Sequence, residues 1–215
     1  EYGKMKRDRV IKLCIVALCL ALITIGGTIA YFRAETSTQN KMTSTALKIA
    51  LNNGESDSGF EVSEDHATYL NASPGDLLQR QMYVQNVETS PMYVRLTITK
   101  YWKDEQGNKV PDLDASYIKV GTDQTDHWII QDDDRNNEVI YMYYRLPLDT
   151  NEYTDDALSH LTIGDVSMTN EYASYQVEID VEADGIQKYA AKQAILAEWG
   201  LDVEIDDQGI LQSVE

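Results

Sequence analysis

The stretch "MYVRLTITKYW", residues 92–102, decides the fold class. Met92, Val94, Leu96, Ile98 and Trp102 fall on one side of an extended chain, and Tyr93, Arg95, Thr97, Thr99 and Tyr101 on the other. A period of two is the pleat of a β-strand, and helical spacing does not fit it. "YASYQVEIDVEA", residues 172–183, repeats the pattern. Ala173, Tyr175, Val177, Ile179, Val181 and Ala183 point one way, while Gln176, Glu178, Asp180 and Glu182 are expected to point to water. "ALKIAL" (46–51) supplies Leu47, Ile49 and Leu51, and "LLQRQMYV" (77–84) supplies Leu78, Met82 and Val84. "EVIYMYYRL" (138–146) is a run of strand formers.

Turn-forming residues separate these runs: Pro74-Gly75-Asp76, the stretch 104–108, and the Asp/Asn-rich stretch 132–137. Strands with one apolar face need a second sheet to cover it. The expectation is therefore all-β: a jelly-roll-like antiparallel β-sandwich. Two segments break the pattern. "TDDALSHL" (154–161) opens on an N-capping Thr and reads as a short inserted helix. "IQKYAAKQAILAEWG" (186–200) reads as a C-terminal helix stopped by Gly200, with Ile186, Tyr189, Ala190, Gln193, Leu196 and Ala197 along its packed stripe. The acidic tail 201–215 is either a loose strand pair or disordered. No repeat or linker divides the body, so 52–200 is read as one domain with its C-terminal helix.

Charge bounds the partners. The 215 residues carry 18 Lys and Arg against 36 Asp and Glu, a net of −18. Residues 1–30 hold five cations against two anions, a net of +3, so the remainder carries −21. Such a surface repels phosphate backbones, which argues against nucleic-acid binding. Both cysteines, Cys14 and Cys19, lie before residue 30. The rest of the chain has no thiol for a disulfide, a zinc site or a nucleophile.

Residues 1–30 read as a signal peptide. "KMKRDRVIK" is a basic leader and "LCIVALCLALITI" (13–25) an apolar run of thirteen, short of the ~20 that span a bilayer. Gly26-Gly27 breaks it, and Thr28-Ile29-Ala30 places small residues for cleavage between Ala30 and Tyr31. An uncleaved anchor is the alternative. Leu18 before Cys19 argues against a lipoprotein site. Membrane contact is then confined to export, and the product is secreted to the cell surface or extracellular matrix of a bacterium.

In sequence order, "GGTIAYF" (26–32), "STQNKMTSTALKIAL" (37–51), "SPGDLLQRQMYVQNVETSPMYVRLTITKYW" (73–102), "DHWIIQDDDRNNEVIYMYYRLPLDTNEYTDDAL" (126–158) and "VEADGIQKYAAKQAILAEWG" (181–200) together resemble the TasA/camelysin-like proteins, biofilm matrix proteins exported with a SipW-type signal peptidase. The chain departs from that pattern in "YFRAETSTQN", where an Asp- or Asn-rich start is usual, and in "LDTNEYT", which lacks a Pro-Gly. The resemblance implies a non-enzymatic subunit that polymerises head-to-tail into extracellular matrix fibres. Its partners would be further copies of itself, the SipW-type peptidase and related matrix subunits. It also implies that residues 31–51 act as a donor strand, with Thr45, Leu47, Ile49 and Leu51 entering a neighbour's sheet.

Other readings stay in view. Camelysin has been described as a metalloprotease, but His66, His127 and His160 lack the His-Glu-x-x-His spacing of a zinc helix. No Gly-x-Ser-x-Gly is present. The runs Asp132-Asp133-Asp134, Asp155-Asp156 and Asp206-Asp207 read as solvated loops, with Ca²⁺ between subunits as the alternative and no other cofactor expected. Trp102, Trp128, Tyr141, Tyr143 and Tyr144 read as core or cross-strand pairs. A carbohydrate-stacking platform on a monomeric binding module is the competing function. Asn71-Ala72-Ser73 matches a glycosylation sequon by chance composition.

Overall fold

The structure, a computed structural model, describes residues 31–34, 47–52, 60–62, 66–69, 75, 77–132, 137–164 and 167–215. The expected signal peptide 1–30 with Ala30, donor residue Thr45, the sequon at 71–73, Pro74, Asp76, and Asp133 and Asp134 lie outside them.

Among the described residues the chain is all-β with one α-helix, and every strand pair is antiparallel. The spine is a pair of twelve-residue strands, β6 (Met92–Lys103) and β11 (Gln176–Gln187), in register from Lys103 opposite Gln176 to Met92 opposite Gln187. Their sheet runs β3 (Phe60–Val62), β4 (His66–Tyr69), β11, β6, β9 (Val139–Tyr144), β8 (Trp128–Asp132), and β1 (Tyr31–Ala34) joins it along β11. A second sheet runs β2 (Leu47–Asn52), β5 (Leu77–Asn86), β10 (Leu158–Ile163), β7 (Ile118–Gly121). One continuous core joins the two. Val94, Leu96, Ile98, Val177, Ile179 and Val181 of the first sheet cluster with Leu47, Met82, Val84, Ile118, Leu161 and Ile163 of the second. The expected alternation of β6 is the observed one, because one face of each sheet is removed from water against the other. The turn at 104–108 is also as expected. Asp104 Oδ1 accepts from the Gln106 and Asn108 amides, and Gly107 takes the positive φ of 83° the turn requires.

Three expectations are corrected. Residues 154–161 hold no helix; strand β10 begins at Leu158 and carries a β-bulge between Leu158 and His160. The bulge turns Leu158 and Leu161 to the same side, which gives a strand the i, i+3 apolar spacing of a helix. The strand containing Val177 begins at Gln176, and residues 170–174 form a 3-10 turn whose buried residue is Tyr172, not Ala173. Tyr172 packs on Trp102 at 4.9 Å between ring centroids. On β11 the acidic residues do not simply face water. Glu178 is only 1% exposed and pairs with Lys103, Tyr101 donates to Asp180 at 3.2 Å, and Arg95 meets Asp184 at 2.7 Å.

The C-terminal helix, α1 (Ala191–Glu198), is shorter than expected because Ile186 and Gln187 complete β11. It buries Ala191, Ala194 and Ile195, whereas Tyr189 (92% exposed) and Leu196 (56%) face outward, so the packed stripe lies at a different angle from the one expected. Gly200, at φ 72°, ends it as expected. Residues 201–215 are not disordered. β12 (Val203–Ile205) and β13 (Leu211–Val214) form a hairpin, and Val203, Leu211 and Val214 pack with α1 over Tyr93, Tyr143 and Ile186 on the outer side of the spine. That is a second, smaller core.

Candidate assembly site at the N-terminal strands

The segment expected to act as a donor contributes one strand to each sheet. β1 lies along β11, from Tyr31 opposite Ile186 to Ala34 opposite Ala183, and starts at the residue expected to follow cleavage. The other stretch of that same β11 edge, Val177 to Asp180, carries β4. β2 lies along β5, with Leu47 opposite Asn86, Ile49 opposite Val84 and Leu51 opposite Met82.

Alternation decides what β2 contributes. Leu47 (3% exposed) and Ile49 (9%) enter the core, and Lys48 between them stays in solvent. The far side of β5 is already occupied. Val84 donates to Thr154 Oγ1 and accepts from the Thr154 amide, the Ala157 amide donates to Met82, and the Asn86 amide donates to Glu152. By strand alternation, the backbone groups of Gln81, Tyr83 and Gln85 then turn toward β2. Without β2, β5 would present an unpaired ladder, and the core beneath it would lose two aliphatic side chains.

Two residues shape the seat for β2. Asn86, fully buried, donates from Nδ2 to the Ser90 and Leu148 carbonyls at 3.0 and 2.9 Å and accepts the Glu88 amide at Oδ1. This fixes the end of β5 opposite Leu47. Gly185 is the second: a Cβ there would lie 3.2 Å from Leu47 Cδ1 and 2.6 Å from Met92 Sδ. Phe32 of β1 stands opposite the same Gly185 in the ladder. Both strands of the N-terminal segment therefore converge on this glycine, one through its backbone and one through a side chain. Sequence reading missed Gly185, although an isolated glycine interrupting the alternation of "VEADGIQ" is the usual sign of close backbone or side-chain approach.

The remaining candidates are placed as follows. His66 lies in β4; His127 Nδ1 is 2.7 Å from Asp155 Oδ2 without hydrogen-bond alignment; His160 is 3.8 Å from Asp123. Trp102, Trp128, Tyr143 and Tyr144 are buried and Tyr141 is half-buried, so these rings serve the two cores. Burial, with the Asp155 carboxylate accepting its hydroxyl at 2.8 Å, pushes the Tyr144 phenol up to about 12. Asp156 receives a bond from Gln81, and its carboxyl is raised by burial. Asp206 shapes the β12–β13 turn by accepting from the Gln208 and Ile210 amides; the Ile210 bond is the main reason its carboxyl is held low. A cavity of ≈ 260 Å³ beside β7 is lined by Lys100, Ser116, Lys119, Asp132 and Asn137 among others. Among the described residues, no three His, Cys, Asp or Glu side chains converge as a metal-holding group. None of the family models, curated proteins or solved structures with which the chain was compared matches it.

Proposed function

We propose that this chain is a secreted structural subunit that polymerises by donor-strand exchange into extracellular biofilm matrix fibres, as a jelly-roll-type relative of the TasA/camelysin-like proteins. In this reading a SipW-type signal peptidase cuts between Ala30 and Tyr31. The freed segment then makes in a second copy the pairings that β2 makes within its own chain. Related matrix subunits would join through the same edge.

The observation that carries the reading is the position of Leu47 and Ile49, buried side chains on a terminal strand at a sheet edge. Such a strand contributes to whichever body it fills. Burying each aliphatic side chain stabilises by roughly 1.5–3 kcal/mol, and each ladder bond adds about 0.5–1.5 kcal/mol. The same contacts in trans keep that stabilisation, and a head-to-tail donation propagates as an open filament instead of closing. The buried aromatics give little support to a sugar-stacking platform, and the dispersed histidines give little to a zinc peptidase.

The test is negative-stain microscopy and light scattering of the chain beginning at Tyr31, beside the same chain lacking residues 31–51. The reading expects concentration-dependent filaments from the first and none from the second. A full-length product that stays monomeric at every concentration would overturn it.

A further inference from the structure

We infer that Gly185 and Met92 form the acceptor slot for a second copy's Leu47, and that the size match between positions 185 and 47 selects the incoming strand and sets its register. The inference rests on the strand-exchange reading and adds to it the partner residue and the recognition rule. It starts from the close approach at β11. Gly185 stands in the inward row of the strand, after Val181 and Ala183, where an apolar side chain would continue the pattern. Its missing Cβ leaves room that Leu47 and Met92 fill, at 3.2 and 2.6 Å from where that carbon would be. Val94 of β6 stands opposite Gly185 in the ladder, so the floor of the slot is fixed by the spine.

The slot reads register because strands slip in steps that its shape rejects. A slip of one residue would bring Lys48, which is solvent-facing, over Gly185 and turn the whole apolar row outward. A slip of two would bring Ile49, whose branched Cβ is bulkier near the backbone than that of Leu47. Leu47, unbranched at Cβ and ending in an isopropyl group, reaches over Gly185 without crowding the strand. The partner the slot fits is therefore an extended strand with leucine at this register, flanked by a solvent-facing residue and a second inward aliphatic two positions on.

Paired variants of the full-length mature chain separate contact in trans from contact in cis. Gly185→Ala crowds the slot and Leu47→Ala shortens the key, and each alone is expected to slow filament growth about tenfold or more. In an equimolar mixture every junction finds a match. The Leu47 strand of one chain meets Gly185 of the other, and the Ala-bearing strand meets the Ala-bearing slot. Growth should recover to within about threefold of wild type, by the logic of a double-mutant cycle. A second pair works in the opposite direction of size, with Leu47→Phe mixed with Met92→Ala, and guards against misfolding of Gly185→Ala. Circular dichroism checks that each variant is folded. Growth of Gly185→Ala at the wild-type rate, or mixtures no faster than their separate components, would overturn the slot while leaving strand exchange standing. Wild-type chains that never assemble would instead remove the strand-exchange reading itself, and the trans slot with it.

Discussion

Lys100 donates from Nζ to the backbone oxygen of Ala115 at 2.8 Å, from the inward row of β6 between Ile98 and Trp102. Trp102 does the same to Asp114, at 3.0 Å from Nε1, so two core-facing side chains hold the 3-10 turn Ala115–Tyr117 against the sheet. Burial lowers the Lys100 pKa below its usual 10.5, only partly offset by Asp132, Asp114 and Glu138. The sign follows from linkage. The folded state disfavours the charged amine, so the penalty is present at lower pH and fades as pH rises toward 10.5. Lys100→Met removes the titration and the Nζ bond, leaving the Ala115 carbonyl with the Ile118 amide as its donor. The stability gap between wild type and this variant, followed by urea melts, should widen in favour of wild type as pH climbs toward 10.5.

Asn86 gives the largest expected effect of a single polar substitution. From a fully buried position its side chain bonds two carbonyls and one amide, the Leu148 bond buried and the Ser90 and Glu88 bonds part-buried. Asn86→Ala takes this partner from the Ser90 carbonyl and the Glu88 amide and leaves the Leu148 carbonyl only the Met92 amide; at about 1–3 kcal/mol for each lost partner, a loss of roughly 3 kcal/mol is expected in chemical denaturation. Asn86→Asp should be worse, since a carboxylate cannot donate to Ser90 or Leu148 and carries an unpaired buried charge.

Much of the fold was legible because a two-residue period survives wherever one sheet face is buried and the other is not. The faces of β6 and β11 follow from single residues such as Val94, Ile98 and Val181. What misled was local geometry that changes the period. The bulge in β10 made Leu158 and Leu161 look helical, and the continuation of β11 through Ile186 moved the start of α1. The second core was hidden for another reason. Tyr93 lies on the face of β6 opposite its apolar row and Ile186 reads as helical, and only distant residues such as Leu211 and Val214 show that this side is covered. At the candidate site the shared inward face of Leu47 and Ile49 was readable from alternation, whereas Gly185 is marked by the side chain it lacks.

Tyr144 couples the core to the 154–157 segment through Asp155. A phenol raised to about 12 favours the protonated folded state. Its stabilisation is therefore present below the unfolded value of 10.0 and is lost as pH rises through about 12. Tyr143, raised by burial to about 12, adds to the same loss. Tyr144→Phe should cost about 1–2 kcal/mol at neutral pH through the missing bond to a carboxylate. It should also flatten the alkaline decline, read as thermal midpoint against pH alongside ultraviolet titration of the phenols.

Ending the chain at Gly200 tests whether the acidic tail is part of the folded body. The truncation removes Val203, Leu211 and Val214 and bares Tyr93, Tyr143, Ile186 and Trp199 on the outer side of the spine. It also removes the carbonyls of Leu211 and Gln212 that accept from Arg145, and that of Gly209 that accepts from the Tyr93 hydroxyl. Three buried aliphatic side chains at roughly 1.5–3 kcal/mol each bring the expected loss to about 5 kcal/mol or more, a large part of the stability of a domain this size. The truncated chain should melt far earlier, expose Trp199 to quenchers and bind a hydrophobic dye. A truncated chain with unchanged melting would show that the outer core contributes nothing and that the body ends with the helix.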